Sequence, residues 1–197
     1  MFLLGPAFLV TPVLDEGEVE VTGYFPQQSR WFDFRTGMEQ VTGKFLTLDA
    51  PMDYINLHVR GGYILPMQGP DVTTTLSRKK PMEILVALDD SQSAAGELYW
   101  DDGEARNVGE NFTRIEFKFG LNVLNFTVVH QAEYLPELDY LYIDKLTVYG
   151  LLSEPSTITC DGNDEASFSW ESVRNKLFLN LFSTLNLTDD HQCVFTF

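Results

Sequence analysis

Residues 2–14 read FLLGPAFLVTPVL, an apolar run interrupted by Gly5-Pro6 and free of charge until Asp15. A run of this kind suits a strand covered on both faces, as in a parallel sheet wrapped by helices. No crossover-helix pattern follows it. From Glu18 onward apolar and polar positions alternate with a period of two, the mark of antiparallel strands with one face on a core. The first strand is therefore expected to belong to a sheet whose other strands lie outside this chain, with the chain as the tail end of a larger protein.

The alternation predicts a series of short strands. In residues 18–25, Val19 and Val21 are set against Glu20 and Thr22, and Pro26 ends the strand. Residues 29–34 and 44–48 read as two more. Residues 55–59 and 63–65 flank Arg60-Gly61-Gly62, a tight structural turn or bulge whose glycines supply positive φ. Residues 69–80 make a connecting loop, 82–88 a strong strand, and the polar stretch 89–93 a domain seam. Beyond it, 96–100 is a strand. Ile115, Phe117 and Phe119 alternate with Glu116 and Lys118, and Leu124, Phe126 and Val128 with Asn125 and Thr127. That parity sets Asn125 outward. Residues 141–149 carry Leu146 and Val148 inward, 167–170 and 176–182 form a hairpin around Arg174-Asn175, and 193–197 close the chain. Strands at this spacing predict β-sandwiches.

The chain has 197 residues, 44% apolar and 13% aromatic, a globular composition with room for one or two cores. Its net charge of −16 and pI near 4.3 exclude nucleic acid and anionic membrane surfaces as partners. The charge fits an acidic compartment, where carboxylate repulsion eases, and equally a secreted protein made acidic for solubility. The opening run is too short to span a bilayer, and no other segment approaches a membrane span. It also lacks the basic flank and small-residue cleavage site of a signal peptide.

Cys160 and Cys193 are the two cysteines. They read as a disulfide closing the C-terminal strands, with two buried free thiols as the alternative. Three N-glycosylation sequons point toward the secretory pathway, at Asn111-Phe112-Thr113, Asn125-Phe126-Thr127 and Asn186-Leu187-Thr188.

Catalytic chemistry is not evident. Asp89-Asp90, Asp101-Asp102 and Asp189-Asp190 sit at strand ends, where neighbouring side chains diverge and aspartate favours turns. Asp101, Asp102 and Glu104 at such short spacing do not specify a calcium site, and His58, His130 and His191 are too scattered for a metal cage. Neither a nucleophile elbow nor a phosphate cradle occurs. Trp31, Tyr99, Trp100 and Trp170 are candidates to stack on sugar rings, and equally to anchor a sandwich core. No catalytic, substrate-binding or metal residue and no cofactor is assigned.

Several stretches in order resemble glycoside hydrolase family 31. Residues 5–14, Gly5-Pro6-Ala7-Phe8-Leu9-Val10-Thr11-Pro12-Val13-Leu14, resemble its last barrel strand. Tyr24-Phe25-Pro26 with Trp31-Phe32-Asp33 resembles the next block. Residues 55–66 (INLHVRGGYILP) are the most specific piece, and residues 76–82 and 98–104 continue the match. The wording is similar to the lysosomal acid α-glucosidase, maltase-glucoamylase and sucrase-isomaltase group.

The resemblance implies a retaining exo-α-glucosidase acting on α-1,4-glucans or maltooligosaccharides, with paired aspartates on a barrel that precedes the residues matched here. None of those catalytic motifs occurs, so no catalytic residue transfers. It also implies a fold: all-β, two consecutive antiparallel β-sandwich domains preceded by the last strand of a truncated (β/α)8 barrel. The expected divisions are 1–18 for that strand and its exit loop, 19–92 for a proximal sandwich bracing the barrel, and 93–197 for a distal sandwich. The expected partners are the catalytic barrel of the same polypeptide and the glucan substrate, in a lysosomal, extracellular or brush-border setting. Family members usually carry a polar residue, often Gln, where Met1 stands, which leaves open whether Met1 is a true start. A free-standing carbohydrate-binding sandwich and a structural secreted β-domain are the competing readings.

Overall fold

The structure is a computed structural model that describes residues 1–133, 135, 138, 141–165 and 167–197. The chain opens with a hairpin, β1 (Phe2–Leu4) and β2 (Phe8–Thr11), which turns at Gly5-Pro6. β3 (Glu20–Phe25), β4 (Trp31–Asp33), β5 (Lys44–Asp49) and β6 (Asn56–Arg60) follow. Next come β7 (Tyr63–Gln68), the short helix α1 (Thr74–Ser77), β8 (Met82–Ala87), β9 (Ala94–Trp100), β10 (Thr113–Gly120) and β11 (Val123–His130). The last strands are β12 (Tyr142–Tyr149), β13 (Thr157–Cys160), β14 (Asn163–Asp164), β15 (Phe168–Glu171), β16 (Lys176–Asn186) and β17 (His191–Thr196). The all-β class matches the expectation from alternation.

Three sheets result. The first has the order β1-β2-β6-β4, and the second is a ribbon of β3 and β5. The third runs β14-β13-β17-β11-β10-β9-β7-β8-β12-β16-β15. Its two halves meet at β7 and β9 through a single parallel pair, Tyr63 and Ala95. The third sheet folds over on itself there. Ile84 and Val86 of β8 and Leu146 and Val148 of β12 share one core with Ile115 and Phe117 of β10 and Leu124 and Phe126 of β11.

The outer face of β8 is covered too. Leu85 and Ala87, with Tyr149 of β12, pack against Phe32 of β4 and Val59 of β6. β8 therefore lies at the middle of the molecule, with five of its six residues buried. Burying a Leu or Val side chain is worth about 1.5–3 kcal/mol, so this doubly covered strand is a main source of stability. A third cluster of Leu9, Phe25 and Trp31, flanked by Leu46 and Leu48, holds the ribbon onto the first sheet.

Strand pairing runs across residue 92. β8 pairs in parallel with β12, Ile84 opposite Leu146 and Val86 opposite Val148, so one sheet crosses the expected seam between 19–92 and 93–197. Periodicity identifies a strand but not its partner, and this partner is far away in sequence. Residues 89–93 form instead a tight connection, in which Asp89 Oδ1 accepts from Ser91 N and Ser93 N, both at 2.9 Å.

Residues 1–18 hold two short strands, β1 and β2, and the loop that leads to β3. Gly5 takes φ 61 and the run turns back on itself. β2 pairs with β6 in the first sheet. It is covered on one side by the Leu9 cluster and on the other by Phe34, whose ring lies 5.9 Å from that of Phe8. Both sides of β2 thus touch β layers of this chain. The apolar side chains of β1 stay outside, with Phe2, Leu3 and Leu4 54%, 55% and 61% exposed.

The turn at Arg60, Gly61 and Gly62 is present, but it carries the chain from the first sheet to the third and does not close a hairpin. A Cβ on Gly61 would lie 2.7 Å from the Leu88 carbonyl oxygen, and Gly62 has φ +94. Both positions therefore require glycine. Arg60 Nε donates to Ser29 Oγ at 2.8 Å and anchors the crossing.

Candidate functional site

A cleft of about 410 Å³ opens between the first sheet and the β3–β5 ribbon. Asp33, the last residue of β4, closes one end. Its Oδ1 accepts from Thr36 N at 2.7 Å, Thr36 Oγ1 at 2.7 Å and Arg35 N at 3.1 Å, so the Asp33–Gly37 turn is wound around this carboxylate. Its Oδ2 accepts from the Tyr54 hydroxyl at 2.7 Å. The Arg35 guanidinium stacks 4.3 Å from the Tyr54 ring centroid. Burial pushes the Asp33 carboxyl up, but the hydrogen bonds from Thr36 and Tyr54 outweigh it and hold the group below its ordinary range. Burial and the Asp33 carboxylate together push the Tyr54 phenol up to about 12.

Asn56 and His58 are two apart on β6 and so share a face. Both are buried. The His58 ring meets Phe25 edge-on, with centroids 4.7 Å apart. Burial drives the imidazole down to about 4, against the opposing pull of Asp33, so His58 is neutral at pH 7. Asn56 Nδ2 donates to the Asp49 carbonyl at 3.0 Å and pins the end of β5 over the cleft. Thr47, Asp49 and Gln40 complete the wall. Asp33 is committed to its turn and to Tyr54, and no nucleophile stands beside a base here. The arrangement can bind a small molecule; it does not make a hydrolytic centre. Sequence reasoning left this site unassigned. The signal for it is the burial of Asn56 and His58, which share a parity of β6 with Arg60 opposite the apolar Leu57 and Val59.

Other residues marked from the sequence fall elsewhere. Cys160 and Cys193 are directly opposite on β13 and β17 and form a disulfide. Asn111 and Asn186 are exposed. Asn125 is half-buried, and its Oδ1 accepts from Gln192 Nε2 at 2.9 Å. Trp31 and Trp100 are core residues, with the Arg78 guanidinium 4.0 Å from the Trp100 ring centroid. Trp170 is half-buried against the main core. Tyr99 is exposed but stacks on Phe112 at 5.0 Å, and Phe112 on His130 at 4.1 Å, so the rings of this column cover one another. The acidic pairs are turn residues. Asp101 Oδ1 accepts from Gly103 N and Asp102 Oδ1 from Glu104 N, while Asp190 Oδ1 accepts from Val128 N. No group of His, Cys, Asp and Glu able to hold a metal occurs among the described residues. Nor is any helix among them long and apolar enough to cross a membrane.

Comparison with known proteins places these features. Residues 1–65 match the model of the glycosyl hydrolase family 31 C-terminal domain. Lysosomal alpha-glucosidase of Rattus norvegicus is 37% identical over 189 residues, 85% of this chain and 19% of the relative. Intestinal sucrase-isomaltase of the same organism is 43% identical over 186 residues, 89% of this chain and 10% of the relative. Probable maltase-glucoamylase 2 of Homo sapiens is 37% identical over 191 residues, 95% of this chain and 7% of the relative. The chain thus spans a fifth or less of the length of these relatives. The fold is that of the matching part of the glucosidase II alpha subunit, with a TM-score of 0.81 at 22% identity over 95% of this chain and 23% of that one.

Proposed function

Because the chain is homologous over most of its length to the C-terminal region of glycoside hydrolase family 31, we propose that it serves as the non-catalytic β portion of a retaining exo-α-glucosidase acting on α-1,4-linked glucans. The observation that carries this reading is the pairing of about 40% identity with coverage of a tenth of a relative such as sucrase-isomaltase. The hydrophobic clusters among the described residues hold layered sheets together. Its work is mechanical: the first sheet braces a catalytic barrel supplied by the rest of such an enzyme. The exposed side chains of Phe2, Leu3 and Leu4 along β1 offer the apolar contact that docking needs.

The reading extends to the secretory pathway, with a lysosomal or cell-surface site. The disulfide favours an oxidising compartment. Asn111 and Asn186 present open sequons for glycosylation, with Asn125 as the third site.

The test is a glucose-release assay on the purified chain with maltose, followed by mixing or fusing it with a family 31 catalytic barrel. No turnover by the chain alone, together with gain of soluble activity by the barrel, is expected. Hydrolysis of maltose by the chain alone, or a barrel whose activity and solubility ignore it, overturns the reading.

A further inference from the structure

A groove of about 510 Å³ runs between the Pro6-Ala7 turn of the opening hairpin and the outer face of β9 and β10. Strand parity decides which side chains enter it. Ile64 points into the main core, so Tyr63 and Leu65 turn the opposite way and form the floor. Ala94 and Leu98 are core residues, so Ala95 and Glu97 between them face outward. Glu116 and Lys118 alternate with the buried Ile115, Phe117 and Phe119 and share that outward face. All six line the groove, and none of them is buried away from solvent.

Along the rim, Glu97 and Glu116 stand directly opposite one another on neighbouring strands, a placement in which like charges repel. Arg114 offsets the repulsion, its Nη2 3.0 Å from Glu97 Oε2 and 3.5 Å from Glu116 Oε1. Lys118 Nζ lies 3.0 Å from Glu116 Oε2. Two anions and two cations thus balance, in a chain whose net charge is −16. A balanced rim selects neither anions nor cations. Exposed ion pairs hold their members weakly, so the carboxylates stay open to incoming donors. Glu97 Oε1 has no hydrogen-bond partner among the described residues. Acceptors and an ammonium donor therefore stand side by side above an apolar floor of Leu65, Ala95 and the Tyr63 ring. The molecule that fits is neutral, carries hydroxyls that both donate and accept, and has an apolar ring face. We propose that this groove binds a short neutral oligosaccharide, with pyranose faces on Tyr63 and Leu65 and hydroxyls on Glu97, Glu116 and Lys118. Its volume is within the usual range for small-molecule sites and suits about two rings. Maltotriose as a probe rests on the functional reading above; the pyranoside class rests on the groove alone.

The experiment is an NMR titration of the ¹⁵N-labelled 197-residue chain with maltotriose and with cellotriose, following backbone amides. Saturable shifts at Tyr63, Ala95, Glu97 and Lys118 are expected, and none with sorbitol, which has hydroxyls but no ring face. Ala95→Trp fills the floor and is expected to abolish the shifts. Glu97→Ala removes an acceptor and should weaken the sugar about tenfold. Both side chains are exposed, and Glu97→Ala also relieves the like-charge contact, so this variant keeps the fold. No saturable shift with either trisaccharide overturns the proposal, as does an equal response to sorbitol, or an affinity lowered by neither substitution. Binding of cellotriose alone supports the groove and separates it from the α-glucan of the functional reading. None of these outcomes bears on barrel bracing, which is read separately from glucose release and barrel rescue.

Discussion

The Tyr149 hydroxyl donates to the Phe34 carbonyl across 3.0 Å, joining residues 115 apart in sequence. Tyr149 ends β12 in the eleven-stranded sheet, and Phe34 follows β4 in the first sheet. The Tyr149 ring also lies 6.0 Å from that of Phe32, inside the cluster between the two layers. This contact makes one cooperative unit of the two sheets. Tyr149→Phe removes only the hydrogen bond and should cost about 1–2 kcal/mol. Tyr149→Ala also opens a cavity and should cost about 3–5 kcal/mol. Urea unfolding followed by tryptophan fluorescence and by circular dichroism measures both. The transitions should coincide in the parent chain and separate in Tyr149→Ala; coincident transitions in that variant would show that the layers do not depend on this contact.

The disulfide predicts a second stability effect. Cys160 and Cys193 are 33 residues apart, and both are buried. Cross-linking a loop of that length lowers the entropy of the unfolded chain by about 3–4 kcal/mol at 25 °C. Double replacement by alanine should lower the unfolding free energy by about that amount. Because β13, β17 and β11 are neighbours in one sheet, amide exchange should rise first along Thr157–Cys160. Loss of less than about 1 kcal/mol would mean that strand pairing alone fixes this edge.

Strand positions are legible in this sequence because alternation is a local property. Ile115, Phe117 and Phe119 announce their face within five residues, and all three are buried. What stays illegible is non-local. Nothing in Met82–Ala87 signals that its parallel partner is Tyr142–Tyr149, so a seam drawn at the polar residues after β8 falls inside a sheet. The opening run is ambiguous for a related reason: covering by two β layers and by helices leaves the same apolar signature. Asp33 looks like a turn residue, and it is one. Its second oxygen meets Tyr54, 21 residues on, a contact no local pattern encodes. The cysteine pair is legible since two cysteines allow a single pairing.

Gly96 predicts the effect of separating the two halves of the large sheet. It sits on β9 beside the Tyr63–Ala95 bridge, and a Cβ there would lie 2.0 Å from the Ile64 carbonyl oxygen. That obstacle is backbone, which no side-chain rotation relieves. Gly96→Ala should therefore force β7 and β9 apart and abolish a stable fold, leaving the chain insoluble or broadly unfolded by circular dichroism. Gly5→Ala is the control, because no atom lies within 4 Å of a Cβ there and only the cost of its positive φ applies, about 1–2 kcal/mol. Equal behaviour of the two variants would refute the close approach.

His58 and Asp33 predict how stability depends on pH, in two separate windows. The His58 imidazole is held near 4 in the folded chain against an ordinary value of 6.5. Between those values the unfolded chain takes up a proton that the folded chain refuses. Stability contributed by neutral His58 is thus complete above about pH 6.5 and is lost as the pH falls toward 4, by up to about 3 kcal/mol. Asp33 is held below its ordinary 3.8, so its contribution is complete above that value and fades only at more acidic pH. Unfolding free energy should therefore decline from pH 6.5 to pH 4 for one reason and below pH 3.8 for another. His58→Gln keeps a polar side chain of similar reach but cannot be protonated in this range. It should flatten the profile between pH 6.5 and 4 and leave the acid limb in place, moved slightly upward in pH because the charge of His58 no longer helps to hold Asp33 down. Asp33→Asn should flatten the acid limb, at the expense of the Thr36 and Tyr54 contacts, and steepen the decline between pH 6.5 and 4, because the carboxylate that pulls His58 up is gone. A His58→Gln profile that parallels the parent from pH 6.5 to 4 would place the titrating group elsewhere.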